Sequence, residues 1–540
     1  MIMAELAQAV RARIAGGRLF AAALVPVLVA SLSLVATPAQ AAPPDAAAAR
    51  YDIGQPVVQD LWVDPLGGDD ANGGTTRSQP LRSLDAAWQR VPMDQALGSG
   101  AGYRINLLPG DYAENLLPAY MERRYGSAEA PIMIQASDGP RTVRLHGYLN
   151  LFDVHYLYLL NLDVVTDPGY GGGGNALHLE RGDHVLLRGV HLDGFDGTTR
   201  QPQETLKVNQ SQYVYVEDSE ITGAFWFPLD YMAVQVGHIM GSSIHGGDED
   251  CLLLKGGTVG IRVEANEVWD CGIGLAAGQG SGLEYMVAPW LRYDAYDLVL
   301  VNNLVHDTRL AGLAVRGGSN ILAAFNTFAR VGTSEAGSGL LLIAPGMRGC
   351  DGDSAACAVR HDAGGWGPAS GGDDEAEYIP NRHVWVINNL FDNPAPIRTR
   401  DEHFVIFGPV HVPAGVNVPG PAASDDDLHI AGNVVWNGPA DLPLGVEDDD
   451  RGCRPSHPTC SERQLRAQNT INGAGAEPVP SAARGGFRVP SGLAPGGAAP
   501  LPTLSDDGVP PGARLLVDSP HPMDALGEPR QSALAGALAR

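Results

Sequence analysis

Basic residues are scarce in this 540-residue chain, and lysine is nearly absent. There are 36 Lys and Arg against 62 Asp and Glu, which gives a formal net charge of −26, and only Lys207 and Lys255 are lysines. This balance argues against a nucleic-acid-binding protein, because phosphate binding needs a basic surface. Aromatic residues make up only 6% of the chain and no long helical pattern occurs, so a helical bundle or α-solenoid is not indicated.

Long apolar runs are confined to the N-terminus. Three arginines precede an apolar run over residues 19–36, and a small-x-small cleavage sequence ends at Ala41. This pattern predicts a signal peptide over 1–41, a linker over 42–59, and a secreted or periplasmic protein with no membrane attachment after cleavage. An uncleaved membrane anchor is the alternative.

Glycine, in contrast, is abundant, with 68 residues and no collagen-like period, which indicates many tight turns between short segments. Short stretches of apolar alternation recur, each followed by a small or amide residue and then a central apolar residue. These central residues are Ile221, Ile244, Val268, Val305, Phe328, Phe391 and Val435, spaced by 23, 24, 37, 23, 63 and 44 residues. A period of 23–24 with insertions predicts a parallel β-solenoid, with Ile221 to Phe328 in one interior column. The asparagines of the repeat are predicted to form an amide ladder. A β-propeller is disfavoured because its blades have about 40 residues.

Six cysteines in an oxidising compartment predict disulfides rather than a metal site, because clustered Cys and His at short spacing are missing. Two pairs enclose short polar loops, and the third pair is separated by roughly one coil and can meet across stacked coils. The predicted pairs are Cys350–Cys357, Cys453–Cys460 and Cys251–Cys271.

Three segments near the start carry a resemblance to a known family. They are WVDPLGGDDANGGTTRSQPLRSLDAAW (62–88), INLLPGDYAENL (105–116) and APIMIQASDGP (130–140). They look like the opening of pectate-lyase-like proteins of the pectin lyase-like superfamily. The resemblance covers residues 60–440 and implies an all-β fold, a right-handed single-stranded parallel β-helix with an N-terminal cap and long loop insertions. It implies no single activity, because the superfamily holds lyases, hydrolases, esterases, epimerases and non-catalytic adhesins.

We therefore expect an N-terminal cap and first coils over 60–165 and repeats over 166–440, with insertions at 279–296 and 345–382. Residues 441–540 form a Pro/Gly-rich C-terminal segment with a local disulfide loop.

A line of cationic and polar residues is predicted along one edge of the solenoid. Lys207 and Lys255 are two periods apart and each ends an apolar strand, and aligned repeats add three further positions, Arg181, Gln279 and Arg316. On so acidic a protein, a cationic line indicates an anionic ligand. Ordinary polar residues beside turns would give the same pattern.

Three adjacent carboxylates, Asp248, Glu249 and Asp250, stand just before Lys255. They could bind Ca²⁺ through oxygen ligands or pair with the basic line. Calcium-dependent pectate lyases carry a comparable acidic cluster upstream of a catalytic lysine. Chondroitinase B and alginate lyase relatives place a lysine base and an arginine on nearby coils. Lys255 with Arg316 is similar to both patterns, although Gln279 stands where an arginine is expected.

The insertions contain aromatic residues, of which Tyr285, Trp290 and Trp366 are predicted to bind substrate as sugar-stacking platforms. Packing of the loops against the solenoid is the alternative role.

Together these features predict a monomeric polysaccharide lyase acting on an acidic, uronate-containing polysaccharide. Lys255 would be the base of a β-elimination, with Lys207 as the second choice, and Arg316 or Ca²⁺ would neutralise the substrate carboxylate. A glycoside hydrolase using Asp248 with Asp250 or Asp230 and a non-catalytic glycan-binding protein are the alternatives. No GxSxG, P-loop or HExxH motif occurs.

Overall fold

The computed structural model describes residues 50–98, 100, 102–166, 175–194, 203–334, 337–371, 377–393, 397–399, 401–438, 442–446, 451–472 and 499–505. The predicted signal peptide lies outside these residues. Among the described residues, no helix is both long enough and apolar enough to cross a membrane.

The chain folds as the predicted right-handed parallel β-helix, in which each coil adds one strand to each of three parallel sheets. Sheet one consists of Val58–Val63, Gly102–Leu107, Ile132–Ala136, the second half of Leu149–Leu160, Asp183–Arg188, Gln212–Glu217, Gln235–Met240, Thr258–Glu264, Ala295–Val301, Gly318–Ala324, Arg382–Ile387 and Asp426–Ala431. Sheet two consists of Gly110–Tyr112, Val143–His146, Asp163–Val165, His191–Asp193, Glu220–Ala224, Ser243–Gly247, the first halves of Glu267–Ala277 and Leu304–Arg316, Thr327–Val331, Leu390–Asn393, Val434–Asn437 and Thr470–Ile471. Sheet three consists of Met121–Tyr125, the first half of Leu149–Leu160, Leu177–Glu180, Glu204–Asn209, Phe227–Met232, Asp250–Lys255, the second halves of Glu267–Ala277 and Leu304–Arg316, Leu341–Ala344 and Phe404–Ile406.

The described part of the chain also contains short helices and one small sheet outside the three solenoid sheets. The α-helices are Leu84–Trp88, Ser354–Asp362 and Glu462–Gln468, and the 3-10 helices are Glu114–Leu116 and Leu283–Tyr285. The first helix begins at Ser83, whose Oγ accepts a hydrogen bond from the backbone N–H of Ala86 (3.0 Å) and so caps the free amides of the first turn. The small sheet joins Gly280–Gly282, Gly346–Gly349 and Glu377–Ile379.

The predicted interior column is confirmed. Ile221, Ile244, Val268, Val305 and Phe328 pair in direct register along sheet two, and all are fully buried. The column continues through Phe391 and Val435. Each coil thus covers the apolar side chain of the next, and this burial is the main stabilising contribution to the solenoid.

An amide ladder runs beside this column at the turn between sheets one and two, as the sequence predicts. Its members are Asn266, Asn303, Asn326, Asn389, Asn433 and Asn469. At Asn326 the side-chain oxygen accepts from the backbone and side-chain amides of Asn303, both at 2.9 Å. Its Nδ2 donates to the carbonyl of Leu300 and to Asn389. The ladder satisfies buried backbone groups at every turn it occupies.

All three predicted disulfides are present: Cys251–Cys271, Cys350–Cys357 and Cys453–Cys460, with Cα–Cα distances of 5.5, 6.2 and 4.9 Å. The first joins strand Asp250–Lys255 to the following coil.

The prediction that the repeats end at residue 440 was wrong. Strand Thr470–Ile471 pairs with Val434–Asn437, and Asn469 extends the ladder by one coil, so the solenoid continues to about residue 471. Residues 499–505 also lie on the solenoid, because Leu504 is buried in a cluster on the outer face of sheet one. At the other end, strand Val58–Val63 already begins inside the predicted linker.

Candidate functional site

Two lysines and one buried aspartate meet on the outer face of sheet three. Lys207 and Asp230 are register partners in adjacent strands, and Lys207 Nζ contacts the Asp230 carboxylate. Lys255 Nζ lies 3.3 Å from the same carboxylate oxygen. The side chain of Asp230 has no exposed surface, whereas those of Lys207 and Lys255 are 13% and 10% exposed. A single buried carboxylate is therefore shared by the only two lysines of the protein.

Lys255 and Arg316 occupy equivalent positions two coils apart. Leu254 pairs with Ala277 and Ala277 with Val315, so the residues that follow Leu254 and Val315 are aligned, as predicted. Arg316 Nη2 donates to Asp250 at 2.5 Å. Counted over the whole residue, Lys255 and Arg316 are each 8% exposed, so both are nearly buried yet reach the surface.

Gln279 stands between the two cations, although Gly278, and not Gln279, is the residue aligned with Lys255 and Arg316. Its side-chain oxygen lies 3.5 Å from Lys255 Nζ, and its side-chain nitrogen lies 3.5 Å from Asp250 Oδ2. We call Lys207, Asp230, Lys255, Asp250, Gln279 and Arg316 the site cluster. Its three cations and two carboxylates give a formal charge of +1, which Glu204 balances from the edge at 3.4 Å from Lys207 Nζ.

Electrostatics within the cluster distinguish the two lysines. Burial alone would raise the pKa of Asp230, but the ammonium groups of Lys207 and Lys255 outweigh it and hold this pKa below its usual value. Burial alone would lower the pKa of Lys207, but Asp230 and Glu204 hold it above its usual value. A general base must give up its proton, so this environment argues against Lys207 as the base. Among the described residues, Lys255 forms an ion pair with Asp230 alone, and its ammonium lies 5.1 Å from the centre of the Phe227 ring.

A fully buried ion pair supports the backbone of the cluster, and no sequence pattern predicts it. Asp294, from the first insertion, contacts Arg348, from the second, at 3.1 Å, and neither side chain is exposed. The Asp294 carboxylate also accepts hydrogen bonds from the backbone N–H groups of Gln279 (2.9 Å) and Gly256 (3.3 Å). The pair thus fixes the backbone just after Lys255 and at Gln279.

Arg181 does not belong to the line in which it was predicted. Glu180, not Arg181, is in register with Asn209, which pairs with Met232 and then Lys255. Arg181 lies one residue further, in a left-handed backbone conformation (φ 55°), with its guanidinium over the Phe152 ring.

The three carboxylates of the acidic turn differ in exposure and in their partners. Asp250 is buried against Arg316, whereas Asp248 is 68% exposed and pairs with Arg309 at 3.1 Å. Glu249 is exposed. The three carboxylates are not among the groups of described residues whose potential ligand atoms lie within 4.8 Å of one another. The two groups that meet this criterion contain disulfide-bonded cysteines, which cannot bind a metal as thiolates.

The predicted aromatic platforms differ in their exposure. Trp290 was assigned wrongly: it is 3% exposed and packs with Val259 and Tyr296, so it offers no ring face to a ligand. Trp366 is partly buried in the same cluster. Tyr285 is 44% exposed. Burial and the charges of Glu284 and Asp351 raise its pKa, and Lys207 acts in the opposite direction. The Tyr285 backbone carbonyl accepts a hydrogen bond from the side chain of Gln210 (2.9 Å), which follows Lys207 by three residues.

No protein-family model matches the chain, and no curated protein matches its sequence. Among solved structures it is similar to pectate lyase Pel9A (14% identity, TM-score 0.35, covering 53% of this chain and 71% of that one). It is also similar to a rhamnogalacturonan lyase (14% identity, TM-score 0.33, 68% and 87%) and to the GH136 lacto-N-biosidase from Eubacterium ramulus (13% identity, TM-score 0.32, 76% and 67%). Identities and scores this low carry no information about activity.

Proposed function

We propose that this protein is a carbohydrate-active enzyme, a polysaccharide lyase that cleaves a uronate-containing polymer by β-elimination. The observation that carries the proposal is the placement of Lys255 and Arg316 at equivalent positions two coils apart, each nearly buried, with Arg316 paired to Asp250 and Lys255 sharing Asp230 with Lys207. The three disulfides support the prediction that the protein works in an oxidising, extracytoplasmic compartment.

In the proposed reaction, Lys255 removes the proton on the carbon next to the uronate carboxyl group. That proton is acidic only when the carboxylate charge is neutralised, and Arg316 supplies the neutralising charge and stabilises the developing enolate. The electron pair released from the C–H bond forms the new double bond as the glycosidic C–O bond breaks, and the departing oxygen takes a proton from water. Gln279 lies between the two cations and would orient the sugar, and Tyr285 would stack on a neighbouring ring.

Lys255 is favoured over Lys207 because of their carboxylate partners. Lys207 is bound by Asp230 and Glu204, and both carboxylates stabilise its ammonium form. Lys255 shares Asp230 with that competing ammonium and otherwise meets an amide and an aromatic ring. Lys255 is therefore the less anchored of the two side chains.

The geometry gives less support to a glycoside hydrolase. That chemistry needs two carboxyl groups facing the glycosidic bond from opposite sides. Asp230 has no exposed surface and contacts both lysines, and the Asp250 side chain is 2% exposed and contacts Arg316. Asp248 is exposed but is turned toward Arg309.

The test is to incubate the purified protein with pectate, alginate and glycosaminoglycans and follow the ultraviolet absorbance of unsaturated uronides. Lys255→Arg should reduce kcat at least about 1,000-fold with substrate affinity within a few-fold, because arginine keeps the charge but cannot be deprotonated at working pH. Arg77→Lys, an exposed cation paired with Asp138 outside the site cluster, is the matched control and should stay within about twofold.

Three results would overturn the proposal. Full activity in Lys255→Arg would exclude the base assignment. Tight polymer binding by the wild-type protein without any unsaturated product would instead favour a non-catalytic glycan-binding protein. Hydrolysis products without a double bond would favour the hydrolase.

A further inference from the structure

Two of the three disulfides close loops of the same length but lie beside different polar groups. Cys350–Cys357 and Cys453–Cys460 each have a sequence separation of 7, and all four residues are fully buried. Each loop also contains exposed residues, 351–355 in the first and 454–456 in the second. Because the chain entropy of an opened loop depends on its length, it is the same for both bonds. Neither length nor exposure distinguishes the two bonds, so the groups beside the sulfur atoms decide which one reacts.

An imidazole and a carboxylate stand in line beside Cys460. The Nδ1 atom of His457 lies 3.4 Å from Cys460 Sγ and accepts a hydrogen bond from the backbone N–H of Thr459 at 3.2 Å. On the other side of the ring, Nε2 lies 3.4 Å from Asp425 Oδ2. Because Nδ1 accepts a hydrogen bond, the neutral ring carries its own proton on Nε2, which faces the carboxylate. Nδ1 is therefore the basic atom of the ring, and it is the atom next to the sulfur.

This order of groups stabilises a thiolate at Cys460. When the disulfide opens, Nδ1 of His457 can take up a proton, and the resulting imidazolium pairs with the Cys460 thiolate on one side and with Asp425 on the other. The Asp425 carboxylate is held in place, because its Oδ2 also accepts the backbone N–H of Cys453 at 2.6 Å. Disulfide exchange is faster when the leaving thiolate is stabilised, so Cys460 is the better leaving group of this pair.

The surroundings of Cys350–Cys357 have the opposite effect. Glu284 Oε2 lies 3.4 Å from Cys357 Sγ, and Glu284 is only 6% exposed. The other carboxylate oxygen accepts the backbone N–H of Asp351 at 2.8 Å, which fixes the side chain beside the sulfur. A carboxylate at this distance repels a thiolate, and the repulsion is strongest where little water screens it. Cys357 is therefore a poor leaving group.

We propose that Cys453–Cys460 is a thiol–disulfide exchange site, at which a partner that carries a dithiol reduces the bond. Local opening of the exposed loop 454–456 gives the partner access to Cys453 Sγ. The bond between Cys350 and Cys357 is then a structural one that the same partner leaves intact. This inference does not depend on the proposed lyase activity.

The exchange takes place in two steps. In the first, a thiolate of the partner attacks Cys453 Sγ, the S–S bond breaks, and its electron pair remains on Cys460. The proton that the attacking thiol has given up is taken by His457. In the second step the partner's other sulfur attacks the mixed disulfide at the partner's own sulfur, and Cys453 leaves and takes the second proton. The partner's dithiol is oxidised to a disulfide by two electrons, and the Cys453–Cys460 bond is reduced by the same two electrons.

The test treats the full-length oxidised protein with dithiothreitol, a simple dithiol, at neutral pH and blocks free thiols with iodoacetamide at successive times. Peptide mapping by mass spectrometry then gives the reduction rate of each bond separately. Cys453–Cys460 should be reduced at least about tenfold faster than Cys350–Cys357. With glutathione, a monothiol, the mixed disulfide should form on Cys453 and leave Cys460 free for alkylation.

Three variants separate this role from a structural one. Loss of a structural contact would loosen the loop and speed the reduction of Cys453–Cys460. The proposal predicts the opposite direction: His457→Gln should slow this reduction about tenfold and Asp425→Asn about threefold, because the leaving thiolate loses its stabilising partners. Glu284→Gln is the matched control, and it should speed the reduction of Cys350–Cys357 a few-fold without changing that of Cys453–Cys460.

Three outcomes would overturn the exchange site. The first is an equal reduction rate for the two bonds in the wild-type protein. The second is an unchanged or faster reduction of Cys453–Cys460 in His457→Gln. The third is a glutathione adduct that forms on Cys460 rather than on Cys453, since Cys460 would then not be the leaving group.

Discussion

Replacing Asp230 by asparagine would remove one charge from the centre of the site cluster while keeping the side chain's size. The carboxylate is fully buried, in contact with Lys207 and 3.3 Å from Lys255. At an effective dielectric constant of about 20, a unit charge pair at this distance attracts with roughly 5 kcal/mol. Because the asparagine also avoids the cost of burying a charge, we expect the net loss of unfolding free energy at pH 7 to be about 3–5 kcal/mol.

The loss should depend on pH with a defined sign. The pKa of Asp230 is lowered in the folded protein, so its contribution is present above the unfolded value of about 3.9 and is lost as the pH falls through the folded value. The pKa of Lys207 is raised, so its contribution is present below about 10.4 and is lost as the pH rises through the folded value. The stability difference between wild type and Asp230→Asn should therefore be widest between about pH 4 and pH 10.

The measurement is urea unfolding followed by circular dichroism and tryptophan fluorescence from pH 3 to pH 11. Glu204→Gln is the matched control, because Glu204 contacts only the Lys207 end of the cluster, at 3.4 Å, and is 13% exposed. It should cost about 1 kcal/mol. An Asp230→Asn effect below about 1 kcal/mol at pH 7, or one that does not change across this pH range, would refute the shared-carboxylate description.

Two further predictions concern the solenoid itself. Asn326→Ala removes the hydrogen bonds of one ladder position and should lower the free energy of unfolding by about 4 kcal/mol, measured by urea unfolding, and should speed hydrogen exchange of the Asn303 amide. The control is Gln212→Ala, at an exposed residue that donates a hydrogen bond to Asp183, and it should cost less than about 0.5 kcal/mol. Similar losses of unfolding free energy in both variants would contradict the ladder's role. Burial alone would raise the pKa of Glu217, but its hydrogen-bonded neighbours lower this pKa to about 2. The Glu217 carboxylate should therefore contribute about 3 kcal/mol to the free energy of unfolding above about pH 4.3, and this contribution should disappear as the pH falls toward 2. A stability difference between wild type and Glu217→Gln that is equally large at pH 7 and pH 2 would contradict this prediction.

The sequence alone was sufficient for the architecture because a solenoid is nearly one-dimensional. Each coil packs only on its neighbours, so the spacing of Ile221, Ile244 and Val268 along the chain is also their stacking in space. The same reasoning located the asparagine ladder and placed Cys251 opposite Cys271. Lys255 and Arg316 were correctly aligned because both follow an inward-facing apolar residue in strands of the same sheet.

Only the tertiary structure decided the exact contacts within the site cluster. The repeat spacing does not determine the register of a residue to within one or two positions, and it says nothing about where residues of the insertions lie. The repeat spacing placed Lys207 two periods before Lys255. In the structure the register partner of Lys207 is Asp230, whereas the register partner of Lys255 is Met232, two residues later. That shift leaves both side chains on the same face and lets them converge on one carboxylate, whereas the one-residue shift at Arg181 separates it from them. The Asp294–Arg348 pair joins residues from different insertions, so only the folded chain brings them together.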